Sequence, residues 1–146
     1  MRVSTKGRYA LRMLVDLAEY QNDGFIALKD IAKRQDISKK YLEQIVPVLN
    51  KSHILQTNRG FQGGYRLAVS PSKVTVGDVL RLTEGSLSPL ACIDDDNYIE
   101  CKRRDDCATL YVWQGLKNTI DEYLDGITLQ DILDHKRESY SNDYVI

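Results

Sequence analysis

Apolar residues recur at helical spacing from the first turns of the chain: Tyr9, Ala10, Leu11, Leu14, Val15, Leu17 and Ala18 form one stripe. This predicts a helix starting near Thr5, with Ser4 or Thr5 as its cap. After Asn22-Asp23-Gly24, "ALKDIAKRQ" sets Leu28, Ile31 and Ala32 on one face of a shorter helix ending near Gln35. Ser38 is a good cap for "KKYLEQIVPVLNK", whose Leu42, Ile45, Val46 and Leu49 stand at i, i+3, i+4 and i+7. "HILQTNRGFQGGYRLAV" then reads as strand, glycine-rich turn and strand, a wing in which Arg59-Gly60 and Gly63-Gly64 supply backbone freedom at the hairpin tip. Thr75 and Asp78 make a capping box for "VGDVLRLTEG", which ends at Gly85. Further on, "ATLYVWQGLKNTIDEYLDGI" carries a heptad-like seam of Trp113, Leu116, Ile120, Tyr123 and Ile127. Thr128 and Asp131 start a last short helix, "LQDILDH", and the chain is polar from Lys136.

The predicted fold is mainly α with a small β-wing. A winged helix-turn-helix domain is expected over residues 1–70 and a connecting helix and linker over 71–90. A loop follows over 91–107, then a long dimerisation helix with a short C-terminal helix over 108–134, and a polar tail over 135–146.

Charge sharpens this division. The net charge of -1 conceals 12 Lys+Arg against 6 Asp+Glu up to Arg66, and 8 against 15 after it. The +6 half is the one expected to face a polyanion. On the third helix, Lys39, Lys40, Tyr41, Glu43 and Gln44 lie outside the apolar stripe, after Ser38. Gln and Glu can read base edges in a major groove, Lys can neutralise phosphate, and Arg59 beside Gly60 on the wing can enter the minor groove. A solvated helix face would look the same in isolation; helix, turn, helix and wing in that order on a basic segment point to double-stranded DNA. The Trp-containing seam needs more apolar cover than the second half supplies, so a homodimer reading a pseudo-palindromic operator is expected. No apolar run approaches a membrane span and the first residues lack the stretch of a signal peptide, so a cytoplasmic protein is expected.

Cys92, Cys101 and Cys107 hold every thiol of the chain within "CIDDDNYIECKRRDDC". Such a loop can hold a soft metal or an iron-sulfur cluster, or act as a thiol switch. Zinc favours close Cys-x-x-Cys pairs, which are absent, and His53 and His135 lie outside the loop. Cys107 falls near the start of the long helix, where the dipole and the cations Lys102, Arg103 and Arg104 favour a thiolate. A small redox or electron-carrier protein is the rival from another class, but it leaves the wing and the basic half without a role. No Ser-His-Asp, Cys-His or phosphate-loop pattern marks an enzyme.

The segments "STKGRYALR", "ISKKYLEQIV", "NRGFQGGYRL" and "ITLQDIL" resemble, in order and spacing, the Rrf-type winged-helix transcription regulators, from Met1 to about Asp134. That family includes iron-sulfur cluster regulators, nitric-oxide sensors and cysteine-metabolism repressors. The resemblance implies a homodimeric repressor of iron-sulfur assembly or cysteine-metabolism genes. It puts Ser38, Lys39, Lys40, Tyr41, Glu43 and Gln44 on the recognition helix, Arg59 and Gly60 at the wing tip, and Glu43 at a position that discriminates between operators. It also implies a two-iron, two-sulfur cluster on Cys92, Cys101 and Cys107, with thiol or partner-enzyme control as the alternative. The family's histidine ligand corresponds to Leu110 and its carboxylate ligand to Arg8, so the fourth ligand is left to Asp105 or Asp106, a partner subunit or an exogenous thiol. Two further departures are Pro47, expected to bend the third helix, and His53, where the family pattern has glycine. The ending "SNDYVI" resembles that of cysteine-metabolism repressors, which implies a contact of Ile146 with cysteine synthase.

Overall fold

The computed structural model describes residues 1–143. The expected contact of Ile146 lies outside the described residues. Among the described residues, six α-helices and one two-stranded sheet follow in order: α1 (Thr5–Tyr20), α2 (Leu28–Gln35), α3 (Lys39–Lys51), β1 (Leu55–Asn58), β2 (Gly64–Leu67), α4 (Val76–Glu84), α5 (Leu110–Asp125) and α6 (Leu129–Asp143).

Each boundary has a local cause. The Ser4 hydroxyl accepts from Gly7 N–H at the start of α1 and Ser38 from Tyr41 N–H at the start of α3, each satisfying one orphan donor of a first turn. α2 stops at Asp36, whose left-handed φ of 51° an Asp tolerates better than most residues. The reciprocal Thr75–Asp78 capping box opens α4. α3 runs unbroken through Pro47. His53, just beyond it, takes φ 59°, the conformation for which the family's glycine is suited.

The main core joins Met13, Leu14 and Leu17 of α1 to Ile31 of α2, and to Leu42, Ile45 and Leu49 of α3, all fully buried. Leu129 and Leu133 of α6 belong to the same cluster. The tail returns there because Val76 N–H donates to Ile127 O at 2.8 Å and Leu129 N–H to Val74 O at 2.9 Å. α6 continues well past the expected end near residue 134, reaching Asp143, and Lys136 pairs with Glu19 of α1 at 2.6 Å. Its helical periodicity after His135 was masked by a run of polar residues, a pattern that a solvated helix face also produces.

The predicted seam on α5 is split. Ile120, and Ile127 just beyond the helix, turn with Leu124 toward Val76, Leu80 and Leu87 in a second, smaller cluster, while Trp113, Leu116 and Tyr123 are exposed together with Tyr111 and Val112. Among its 16 residues none is buried.

Candidate nucleic-acid interface and cysteine loop

Buried ion pairing sets the angle between the first helices. Asp16, 1% exposed, accepts from Arg34 Nε at 3.0 Å, Arg34 Nη2 at 2.7 Å and Gln35 Nε2 at 2.9 Å. Arg12 of α1 donates to the Gln35 side chain and to the Gln35 carbonyl. The last turn of α2 is thereby fixed to α1 immediately before the chain turns into α3. Tyr41 lies half-buried rather than fully outward, with its ring edge-on to Tyr9 at 5.3 Å.

Ser38, Lys39, Lys40, Glu43 and Gln44 are exposed along α3, and Arg59 and Gly60 are exposed on the wing. A groove of about 650 Å³ separates the two elements, bounded by Lys39, Glu43 and Asn50 on one side and by Asn58, Arg59 and Phe61 on the other. Lys39 Nζ lies 3.6 Å from Glu43 Oε1, so the cation offsets the one carboxylate on this face. Thr57 of β1 donates its hydroxyl to Asn50 Oδ1 at 3.2 Å, tying the end of α3 to the wing. Asn58 and Phe61 were not singled out from the sequence; an apolar residue set between turn glycines was the available signal for Phe61.

The wing is held at its base. β1 and β2 pair antiparallel with Leu55 opposite Leu67 and Asn58 opposite Gly64. Ile26 and Tyr65 exchange both backbone hydrogen bonds at 2.8 Å. Gly64 was expected at the hairpin tip, but it is the first residue of β2 and is buried. A Cβ there would sit 2.3 Å from the Ile26 carbonyl oxygen, so the glycine serves close backbone approach rather than turning. The turn itself is at Gly60, with φ 123°.

Between α4 and α5 the cysteine loop is folded. Cys92 sits in a 3-10 turn (Ala91–Ile93), Cys101 on irregular backbone, and Cys107 just after a second 3-10 turn (Arg104–Asp106). Buried Asp94 accepts from the N–H groups of Asp96 and Asn97, and Arg104 donates to the Cys92 carbonyl. All three cysteines are half-buried free thiols. Among the described residues, no three Cys, His, Asp or Glu side chains are gathered as a metal-binding set. A cluster held by Cys92, Cys101 and Cys107 would require the loop to draw the three thiols together. α5 begins three residues beyond Cys107, with Thr109 preceding its first turn. The Thr109 hydroxyl, then the Thr109 and Leu110 N–H groups and Arg103, hold the Cys107 thiol below its ordinary pKa.

Ion pairs connect this loop to the helices. Lys117 of α5 lies 2.9 Å from Asp95 and 3.0 Å from Asp121, and these two bonds raise its pKa. Asp121 also receives Arg81 of α4 at 2.9 Å, and Arg81 meets Asp125 at 2.6 Å. Burial opposes ionisation of Asp121, yet the bonds from Lys117 and Arg81 outweigh it and keep its pKa low. Among the described residues no helix is long and apolar enough to cross a membrane.

Comparison with known proteins gives this geometry a context. The family model Rrf2, described as an iron-dependent transcriptional regulator, matches residues 3–135. The regulator CymR of Bacillus subtilis is 35% identical over 143 residues, covering 96% of this chain and 97% of CymR. The structure of CymR, the global cysteine regulator of B. subtilis, superposes with a TM-score of 0.79 at 33% identity over 92% of this chain and 98% of the other. IscR of T. potens gives a TM-score of 0.73 at 37% identity, covering 95% and 90%. The oxidized form of Staphylococcus aureus CymR gives 0.70 at 32%, covering 90% and 95%. Those proteins are regulators of transcription and not enzymes, and their winged-helix architecture is the one described above. With a match over nearly its whole length, the chain belongs to the Rrf2 family of helix-turn-helix transcriptional regulators.

Proposed function

We propose that the chain is a homodimeric repressor that grips a pseudo-palindromic operator with α3 in the major groove and the wing in the minor groove. The observation that carries this reading is the groove between α3 and the wing, lined by Lys39, Glu43, Arg59 and Gly60 on the basic half of the chain. Ser38, Lys40 and Gln44 flank it on exposed positions, and Tyr41 braces the helix from behind. The dimer is supported by α5, whose exposed Val112, Trp113, Leu116 and Tyr123 have no cover in one chain and suit a second copy of the same helix.

Titration of a duplex selected by the wild-type chain from a random library tests the footprint. Two chains per duplex are expected. Lys39→Ala should lower the slope of log affinity against log salt by about 1, the share of one phosphate contact. It should also leave Glu43 unneutralised, so Glu43→Ala added to it should restore part of the affinity. Arg59→Ala should weaken binding most where the wing meets A·T-rich steps. Unchanged affinity and slope in Lys39→Ala and Arg59→Ala would refute the footprint.

The signal enters through residues 91–107, and two readings have separate support. An iron-sulfur cluster on Cys92, Cys101 and Cys107 is favoured by the description of the family as iron-dependent and by the likeness to IscR. Thiol chemistry without a cluster is favoured by the ungathered cysteines, the polarised Cys107 and the likeness to an oxidized CymR. Anaerobic reconstitution with iron and sulfide decides between them. A visible absorption band lost in Cys101→Ala assigns the signal to a cluster. Colourless protein whose Cys107 reacts with iodoacetamide faster than Cys92 and Cys101 at neutral pH assigns it to the thiol. The genes controlled would be those of iron-sulfur assembly in the first case and of cysteine metabolism in the second.

A further inference from the structure

The two phenylalanines of this chain are placed very differently. Phe25 is half-buried, with the Arg66 guanidinium over its ring at 4.6 Å. Phe61 is completely exposed, at 105% of its reference accessibility. Its backbone is nonetheless closely held. Phe61 and Gln62 are the two central residues of a turn closed by Gly63 N–H donating to Gly60 O at 3.0 Å. A Cβ on Gly63 would lie 2.5 Å from the Asn58 carbonyl oxygen, so the turn is packed against its own backbone. The Ile26–Tyr65 pair below it, and Ala68 N–H donating to Ile54 O at 2.8 Å, fix the direction of the whole hairpin. The ring is thus displayed at the apex of the wing, two residues from Arg59, on the rim of the groove that faces α3.

We propose that Phe61 is a minor-groove wedge, with its ring entering alongside Arg59 and packing against or between base steps, so that the wing reads how readily the DNA deforms. This rests on the DNA-binding face proposed above. A large apolar ring left in water is unfavourable, and a rigid turn cannot fold it back onto the protein. Minor-groove proteins place apolar side chains between base steps and kink the duplex, most easily at pyrimidine–purine steps. Arg59 supplies the charge that draws the tip into the groove, while Phe61 supplies a contact with no dependence on salt. Self-association through the ring is the competing use of such a residue.

The test uses the full chain and the duplex selected by wild type, with 2-aminopurine placed at each step under the wing. Phe61→Ala should melt like wild type, since the side chain contacts solvent. It should bind about tenfold more weakly, in the range for loss of one aromatic–base contact. Its salt slope should be unchanged, and the rise in 2-aminopurine fluorescence on binding should disappear. Phe61→Leu should retain part of both effects. If Lys39→Ala and Arg59→Ala weaken binding but Phe61→Ala leaves affinity and fluorescence as they were, the wedge is wrong and the footprint stands. If none of the three matters, the DNA face itself is wrong. If Phe61→Ala changes only the sedimentation of the free protein, the ring serves self-association and the proposal is overturned.

Discussion

Gly64→Ala is expected to cost about 3 kcal/mol, at the upper end of the range for inserting a methyl group into a packed site, and to weaken operator binding more than Arg59→Ala does. The added Cβ would lie 2.3 Å from the Ile26 carbonyl oxygen and 2.9 Å from Ala27 N. Both obstacles are backbone, so no side-chain rotation relieves them. β2 must move away from residues 26 and 27, and the paired bonds between Ile26 and Tyr65 go with it. The wing then loses its fixed direction relative to α3, and every contact at its tip is lost together. Calorimetry should show a fall in Tm of roughly 10 °C for a chain of this size, and operator titration should show the affinity loss. A variant that melts and binds like wild type would mean that β2 is not pinned at Gly64.

A second large effect is expected from Arg34→Met, at about 3 kcal/mol, the lower end of the range for removing one partner of a buried pair. Asp16 would keep only the Gln35 amide among its three donors, in a site from which water is almost excluded. Arg34 is itself about one-third exposed, at 33%, so some water can follow it out, and this places the cost at the low end. Asp16→Leu combined with Arg34→Met should recover most of the loss, because an apolar replacement of the whole pair leaves no buried charge. Chemical denaturation of the two single variants and the double variant checks this. Additive losses in the double variant would show that the two side chains do not act as a pair. The expected operator defect of Arg34→Met is indirect, since the clamp sets where α3 begins.

What the sequence revealed followed the strength of its local signals. α1, α3 and α4 were legible because each couples an apolar stripe to a capping hydroxyl: of the two caps offered for α1 it is Ser4 that accepts the bond, and Ser38 and Thr75 accept those expected of them. The seam on α5 was legible only in part. Spacing of three and four marks a stripe but cannot say which residues face the same chain, and Ile120 turned inward while Trp113 and Tyr123 did not. The length of α6 was hidden because its last turns carry no apolar repeat. At the candidate site, charge and position indicated Lys39, Glu43 and Arg59, whereas the inward lean of Tyr41 depends on Tyr9, more than thirty residues away. Gly64 was noticed for the wrong reason: a glycine in a glycine-rich turn looks like a bend, and only the approach of residue 26 shows otherwise.

The return of the chain at residues 126–133 changes what kind of object the cysteine loop is. Leu129 and Leu133 complete the core built by α1, α2 and α3, and Thr75 and Thr128 form an antiparallel bridge where the chain leaves and re-enters. The cysteine loop and α5 are therefore an excursion from one core, closed at its neck, and not a second module attached by a hinge. A reader cut free after residue 70 would lack part of its own interior. A graft of residues 85–125 between related chains, with both sides of the neck kept intact, is the exchange this architecture permits.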